Sequence, residues 1–262
     1  MTMLQSIHMP MAAERPRVRR IHPGELDWAL SEGWKDFREK RGDVVVLALI
    51  YPAVGMVAAA ITLNGRLLPM FFPLAAGVSI LGPAVASGFY ALARRREAGL
   101  ESGWRHFLDP VLGPNRGTLA VLTAGLAALF AGWLLAAWLI YASSPGLGHP
   151  GHADFLRRLF TTPEGWIMIV AGNLTGLAFA VATLALAVVS FPMAVDKQVD
   201  AITAVSTSVR AVSANPKVMA SWGFRVAGLL VLGSLPAFVG LAIVLPVLGY
   251  ATWHLYSRLV VR

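Results

Sequence analysis

The sequence predicts an all-α, polytopic membrane protein with about six transmembrane helices in three hairpins. Residues Gly165–Val195 contain no acidic, basic or histidine residue, and about 20 apolar residues suffice for a helix to cross the hydrocarbon core of a bilayer. The hydrophobic fraction of the 262-residue chain is 56%, and only 14% of the residues are charged. A soluble domain carries about 25% charged residues, so this composition excludes a water-facing surface of ordinary size.

The net charge of +8 is distributed between the apolar runs. Basic residues in such positions orient helices in a membrane, so the charge does not predict a nucleic-acid partner. The chain contains no cysteine, which excludes disulfides, thiolate catalysis and cysteine-ligated metal centres.

Residues 1–24 are predicted to be a disordered, basic cytoplasmic tail, because they are polar and contain Pro10, Pro16 and Pro23. No apolar run follows at the distance expected of a signal peptide, so a cleaved signal is not predicted. Residues 25–262 are predicted to form a single membrane domain. Its three pseudo-repeats, residues 25–98, 99–198 and 199–262, would each be an amphipathic interfacial helix followed by a two-helix hairpin.

The first amphipathic helix is predicted at Glu25–Lys40, where apolar residues recur at helical spacing and charged residues fill the other face. The pattern Gly-Trp-basic-x-Phe occurs at Gly33–Phe37 and again at Gly103–Phe107. A third amphipathic helix is predicted at Asp200–Ala214. We expect these helices to lie in the membrane interface rather than as short helices packed on loops. The candidate interfacial anchors are Trp28, Trp34, Phe37, Trp104 and Phe107.

Proline and glycine set the expected breaks in the spans. Gly82-Pro83 is expected to bend the second span, and Pro192 is expected to kink or end the fourth. The apolar run from Trp222 to Val261 is too long for one helix and must fold back, with the turn at Pro236–Gly240. The predicted spans are Asp43–Leu63, Phe71–Ala93, Thr118–Tyr141, Gly165–Val195, Trp222–Leu235 and Val239–Leu259.

The distribution of basic residues predicts the orientation. With both termini in the cytoplasm, cytoplasmic segments hold 19 of the 22 Lys and Arg residues. The external loops hold only Arg66, Arg157 and Arg158. The positive-inside rule therefore favours cytoplasmic termini.

Small residues recur every four positions on three of the spans, which lets another helix approach closely in lipid. We expect the face of the third span to be buried against protein. The candidate helix-packing residues are Ala84, Gly88, Ala124, Ala128, Gly132, Ala136, Gly172, Gly176 and Ala180.

Three polar residues within the spans are candidate sites: Asn173, Tyr250 and His254. An amide in lipid binds a substrate or hydrogen-bonds across helices, and the glycines beside Asn173 favour the packing role. A histidine carries protons in some membrane proteins, but a polar histidine near the cytoplasmic face needs no functional explanation.

Two groups of polar residues outside the spans are candidate cation sites. His149, His152 and Asp154 lie in the long loop, whose prolines and glycines favour an ordinary external loop over a metal centre. Asp196 and Asp200 follow the fourth span, and Asp200 is best explained as the cap of the next helix. No metal, cofactor or catalytic residue is predicted, since the nucleotide, hydrolase and metalloprotease motifs are absent from the sequence.

Four segments carry a family resemblance: LGPAVASGFYALARRREAG at Leu81–Gly99, SFPMAVDKQVD at Ser190–Asp200, SANPKVMASWG at Ser213–Gly223 and LPVLGYATWHLYSRLV at Leu245–Val260. With them the chain, from about Trp28 onward, resembles bacterial predicted integral membrane proteins of the family called domain of unknown function 2189. The run Ala251–Tyr256 is the most specific part. The resemblance implies an inner-membrane protein with several helical spans, and it brings no catalytic residue.

Two functions of different classes fit these observations. The first is a non-catalytic scaffold, or a partner that assembles or stabilises a membrane complex. It is favoured because no charge lies deep in a predicted span except Arg225 near the start of the fifth.

The alternative is a channel or carrier for a neutral or apolar solute, which the repeats and the proline-broken helices favour. A polar cavity reaching Asn173 would support the carrier, and a tightly packed bundle would support the scaffold. A lipid-modifying enzyme has no residues to recommend it. The expected partners are the lipid bilayer and another membrane protein or a second copy.

Overall fold

The computed structural model describes residues 16–48, 56, 68–144, 152–236 and 238–262, and its elements are α-helices joined by short 3₁₀ helices and turns. The described residues therefore confirm the all-α class. The helices are α1 (Gly24–Ala48), α2 (Leu68–Val78), α3 (Gly82–Glu97), α4 (Asp109–Leu112), α5 (Arg116–Ala142), α6 (His152–Thr161), α7 (Pro163–Ala187), α8 (Ser190–Asp196), α9 (Ala201–Ala214), α10 (Pro216–Ser234) and α11 (Leu241–Leu259).

Three described segments are long and apolar enough to cross a membrane: Met70–Glu97, Arg116–Ala142 and Pro163–Asp196. They correspond to the second, third and fourth predicted spans. Most of the first predicted span, Asp43–Leu63, lies outside the described residues. The six-span count therefore stays a prediction.

The breaks in two of these segments follow from proline. A 3₁₀ helix, Ser79–Leu81, separates α2 from α3, directly before Gly82-Pro83. The second break separates α7 from α8 at residues 188–189. Pro192 lacks an amide hydrogen, and its ring clashes with the carbonyl four residues earlier, so the helix yields at this point. The Val189 amide donates instead to the Ser208 Oγ atom at 3.2 Å.

The last apolar run folds back where the sequence predicted a turn. Helix α10 ends at Ser234 and α11 begins at Leu241. Phe238 adopts a φ of 66°, a left-handed conformation that lets the chain reverse within a few residues. A side chain on Gly240 would place its Cβ atom 2.8 Å from the Gly233 carbonyl oxygen, so glycine is required for this close approach.

The buried core lies at one end of the molecule, which we call the packed end. It consists of the C-terminal ends of α3, α8 and α11, the N-terminal ends of α5 and α10, and helices α1 and α9. Large side chains are fully buried there, including Phe89, Phe191, Trp222, Trp253 and Tyr256. Helix α1 packs more extensively on α11 than any other pair of described elements. Within the most apolar windows of the three span-length segments, only 18%, 22% and 28% is buried.

Side chains of α3 and of Asn115, the residue before α5, cap the carbonyls at the end of α8. The Asn115 Nδ2 atom donates to the Ala194 oxygen at 2.8 Å and to the Lys197 oxygen at 3.0 Å. Arg94 donates to the Val195 oxygen. The last carbonyls of a helix have no partner within the helix, so these bonds fix the end of α8 between its neighbours.

Residues 16–21 are held by long-range hydrogen bonds, which corrects the prediction of a disordered tail over residues 1–24 for this part; residues 1–15 lie outside the described residues. Val18 forms an isolated antiparallel bridge with Val260. The Arg19 amide donates to the Leu259 oxygen at 2.8 Å, and the Val261 amide donates to the Arg17 oxygen at 3.0 Å. The backbone of residues 16–21 is held by these long-range bonds, which composition does not reveal.

The predicted second amphipathic helix is a 3₁₀ helix, Trp104–Leu108, followed by the short α4. The prediction of an amphipathic α-helix at this position is therefore wrong. Pro110 lacks the amide hydrogen that an α-helix would need to bond the carbonyl of residue 106. The segment left between Gly103 and Pro110 is too short to offset the cost of starting a helix.

Helix α9 forms as predicted, but its buried face carries small residues. Ala204, Thr207, Ser208 and Ala211 are buried, whereas Ile202 is exposed. The small side chains let α9 approach the break between α7 and α8, where Ser208 caps the freed amide of Val189. The apolar stripe of α9 is accordingly turned partly outward.

Candidate functional site: the charged clusters of the packed end

A buried carboxylate joins three helices at the packed end. Asp36 of α1 is buried, and its Oδ1 atom lies 3.0 Å from the Arg96 Nη1 atom of α3. Its Oδ2 atom lies 2.8 Å from the Nε2 atom of His254 on α11. Arg96 also pairs with Glu39. The Arg96 Nη1 atom has no partner at hydrogen-bonding geometry in the described part of the chain, so its contact with Asp36 is purely ionic.

A second cluster surrounds Arg262. Its guanidinium pairs with Glu97 of α3 and lies 3.4 Å from the carboxylate of Asp196 in α8. The same group stacks 4.5 Å above the ring centroid of Trp253, which favours a cation over the aromatic face. Tyr256 donates its hydroxyl hydrogen to Asp196 at 2.8 Å. The cluster therefore ties the last residues of the chain to α3, α8 and α11.

A shallow groove of about 430 Å³ lies beside these clusters and is lined by Arg19, Trp28, Glu97, Arg258 and Arg262, among others. The guanidinium of Arg258 lies 4.0 Å from the ring centroid of Trp28 and 3.4 Å from the Glu25 carboxylate. Glu97 pairs with Arg262, and Glu25 beside the groove pairs with Arg258, so two of the three lining arginines are held by carboxylates. This arrangement suits a structural clamp more than a site that binds an anion or a cation.

Exposed carboxylates outside the spans are also held by partners. A hydrogen bond from Arg225 holds the pKa of Asp27 below its ordinary value, and this pair joins α1 to α10. Bonds from Thr203 lower the pKa of Asp200, whose Oδ1 atom accepts the Thr203 amide at 2.9 Å. Asp200 is thus the N-cap of α9, as the sequence predicted.

The two Gly-Trp-basic-x-Phe motifs place their aromatic residues in the same way. Trp34 and Trp104 point outward and are 45% and 54% exposed. Phe37 is buried in the core, and the ring of Phe107 packs 4.9 Å from that of Phe89. The outward tryptophans stay candidate interfacial anchors, whereas the inward packing of Phe37 and Phe107 contradicts the prediction that they are anchors. Trp28 instead packs within the chain, edge-on to His254.

The candidate packing residues of α3 behave as close-contact positions. A Cβ atom on Gly88 would overlap the ring of Phe107, so only glycine admits this contact. Ala84 is half-buried one turn earlier.

The small-residue face of α5 is largely uncovered by the described residues, so its burial against protein stays a prediction. Ala124 and Ala128 are exposed, while Gly132 and Ala136 are half-buried. The other side packs inward because Trp133 fills the space between helices and donates to the Pro73 oxygen at 2.7 Å. The buried side chains of α5 are Leu119, Leu122, Leu126, Trp133 and Ala137.

Helix α7 uses one of its three candidate small residues for packing. Gly176 lies against Trp133, whose ring would be 3.2 Å from an added Cβ atom. A Cβ atom on Gly172 would have no neighbour within 4 Å, and Ala180 is exposed. Asn173 is exposed and bonds to its own helix, and it makes no bond to another helix among the described residues.

The remaining candidate residues are Tyr250 and the polar residues of the long loop. Tyr250 is buried with its ring 5.7 Å from that of Phe89. Asp154 pairs with Arg157 at 2.8 Å, and His149 lies outside the described residues. In the part of the chain that the structure describes, no three His, Cys, Asp or Glu side chains are grouped so as to hold a metal ion.

Sequence reasoning missed the pairing of His254 with Asp36, and with it the ion pairs of Arg96 with Asp36 and Glu39. One signal was present in the spacing of α1. Leu26, Ala29, Gly33 and Asp36 recur at intervals of three, four and three residues, which is the seam of a helix packed along another helix.

The comparisons with known proteins agree with the membrane character of the helices. Residues 71–196 match the model of a family described as predicted integral membrane protein, domain of unknown function 2189. This range includes nearly all of the three span-length segments, whereas the resemblance at Leu245–Val260 lies outside it. No curated protein and no solved structure matches the chain.

Proposed function

We propose, from the premise that residues 71–196 match an integral membrane protein family, that the chain is a non-catalytic scaffold that assembles or stabilises a membrane complex. The observation that carries this proposal is the open surface of the span-length helices. At most 28% of their most apolar windows is buried within the chain. The core and the paired charges lie at the packed end, which leaves the apolar faces free for other helices.

Side chains on α5 and α7 support this role over that of a carrier. Leu135 and Trp138 on α5, and Leu174 and Leu177 on α7, all project from the bundle. Asn173 lies on the outside of the bundle, where it lines no path between the described helices. A scaffold needs such open faces, whereas a carrier would place its polar groups around an internal path.

Purification in a mild detergent tests the proposal. We expect a tagged chain to copurify with a different membrane protein at a fixed ratio, and Ala128→Trp on the exposed small face to reduce that ratio. Ala127→Trp, which projects from the same level of α5 at about 100° to it, is the control. Purified chain that is alone in detergent, and that makes liposomes permeable to a neutral solute such as glycerol, would favour the carrier instead.

The proposed setting is the bacterial inner membrane, with both termini in the cytoplasm. Because basic residues concentrate on one side, reporter fusions at Pro110 and after Arg262 should report a cytoplasmic location. Fusions at Pro69 and Pro150 should report the external side. A cytoplasmic signal at Pro150 would contradict this orientation.

The outward tryptophans should anchor the packed end in the headgroup layer. In variants that retain one tryptophan, lipids brominated at headgroup depth should quench Trp34 and Trp104 strongly, because indole rings favour this layer. Water-soluble acrylamide should quench them weakly. Trp222 is fully buried and should respond to neither quencher. Strong acrylamide quenching without lipid quenching at positions 34 and 104 would exclude the anchors.

A further inference from the structure

Asn173 is an exposed amide in an apolar part of α7. It lies seven residues after Trp166, about 10 Å along the helix axis. No charged residue or histidine occurs between Gly165 and Val195. If Trp166 marks the interface, the amide stands within the hydrocarbon layer, where a polar group is costly unless it is paired.

Only some of the donors and acceptors of this amide have hydrogen-bond partners. Its Nδ2 atom donates to the Ile169 carbonyl oxygen of the same helix at 2.8 Å. An amide has two N–H donors and one carbonyl acceptor. In the described residues, one donor and the Oδ1 acceptor of Asn173 have no partner.

The face around Asn173 has the spacing of a helix–helix seam. Trp166, Val170, Asn173 and Leu177 recur at intervals of four, three and four residues, and all are exposed. The neighbouring side of α7 is occupied within the chain, where Gly176 and Phe179 pack on Trp133 of α5. Among the described residues, only Trp166 at the end of the seam has a side-chain hydrogen-bond partner outside α7, because its ring N–H donates to the Phe160 oxygen at 3.1 Å. Val170, Asn173 and Leu177 are exposed.

We propose that a second copy of this chain packs on the seam, with the two Asn173 amides paired across a twofold axis. The free groups identify this occupant, because each amide offers one donor and one acceptor and so complements an identical amide. The seam carries no charge that would need an opposite charge on a different protein. The inference rests on the membrane setting of the proposed function but not on the scaffold role.

Single-cysteine cross-linking tests the dimer, and the absence of cysteine from the chain makes every introduced thiol unique. The purified protein would be reconstituted in liposomes at a low protein-to-lipid ratio and oxidised mildly. Leu177→Cys should give a disulfide-linked dimer at several times the yield of Ala178→Cys. Both positions are exposed and differ little in depth, but they project about 100° apart.

Changing the amide tests its role directly. In the Leu177→Cys background, Asn173→Ala should lower the dimer yield about threefold to tenfold, and Asn173→Gln should retain most of it. Equal yields at positions 177 and 178 would overturn the dimer, even if Asn173→Ala failed to fold. A Leu177→Cys yield that Asn173→Ala leaves unchanged would overturn the amide pair. Neither result would affect the copurification test of the scaffold role, so the two proposals fail separately.

Discussion

Gly33→Ala is expected to lower the free energy of unfolding by about 3 kcal/mol, because overpacking commonly costs about 1–3 kcal/mol and this site has little room to relax. An added Cβ atom would lie 2.6 Å from the Ala251 amide nitrogen and 2.7 Å from the Val247 oxygen. Both atoms belong to the backbone of α11, so no side chain can rotate away. Helices α1 and α11 would have to separate along their most extensive contact.

Unfolding of the detergent-solubilised protein, followed by circular dichroism, measures this effect. Gly228→Ala is the matched control, because its added Cβ atom would meet nothing within 4 Å. Replacing glycine inside a helix should stabilise α10 by about 0.5–1 kcal/mol. Equal stability of the Gly33→Ala variant and the native chain would show that α1 and α11 are not in close contact in solution.

Asp36→Ala is expected to destabilise the protein by about 1–3 kcal/mol, since it leaves the buried Nη1 atom of Arg96 and the Nε2 atom of His254 without the carboxylate that they contact. Arg96 would retain only Glu39 as an ionic partner, and His254 would lose its 2.8 Å contact. The loss should be visible as a lower melting temperature and as faster proteolysis near α1.

Asp27→Ala provides the comparison for this variant. Asp27 also lies on α1 and also pairs with another helix, through Arg225, but this pair is largely exposed. Solvent screens an exposed pair, so the variant should melt close to the native protein. Similar melting temperatures for the two variants would show that the Asp36 cluster is solvated and contributes little.

Local rules explain what the sequence predicted correctly. The break before Pro192 and the turn at Pro236–Gly240 depend on residues within a few positions of each other. The cap at Asp200 is equally local. Such features follow from proline geometry, capping and the length of apolar runs, which need no knowledge of distant contacts.

The features that sequence reasoning missed depend on distant parts of the chain. Asp36 and His254 are separated by 218 positions, and the Val18–Val260 bridge joins segments still further apart. The side of α5 that packs on its neighbours in the chain was also not predictable from periodicity. Trp133 decides which side of that helix turns inward, and periodicity alone does not rank one tryptophan above four small residues.

The contact between α1 and α11 also sets the order in which the protein is completed. Helix α1 is made early, but α11, which contacts Gly33 and pairs with Asp36, is made last. At about 5–20 residues per second, the 218 positions between Asp36 and His254 take about 10 to 45 s to synthesise. During that interval the inner face of α1 lacks its partner, so the nascent chain is most vulnerable to proteases and aggregation while its membrane helices are already inserting.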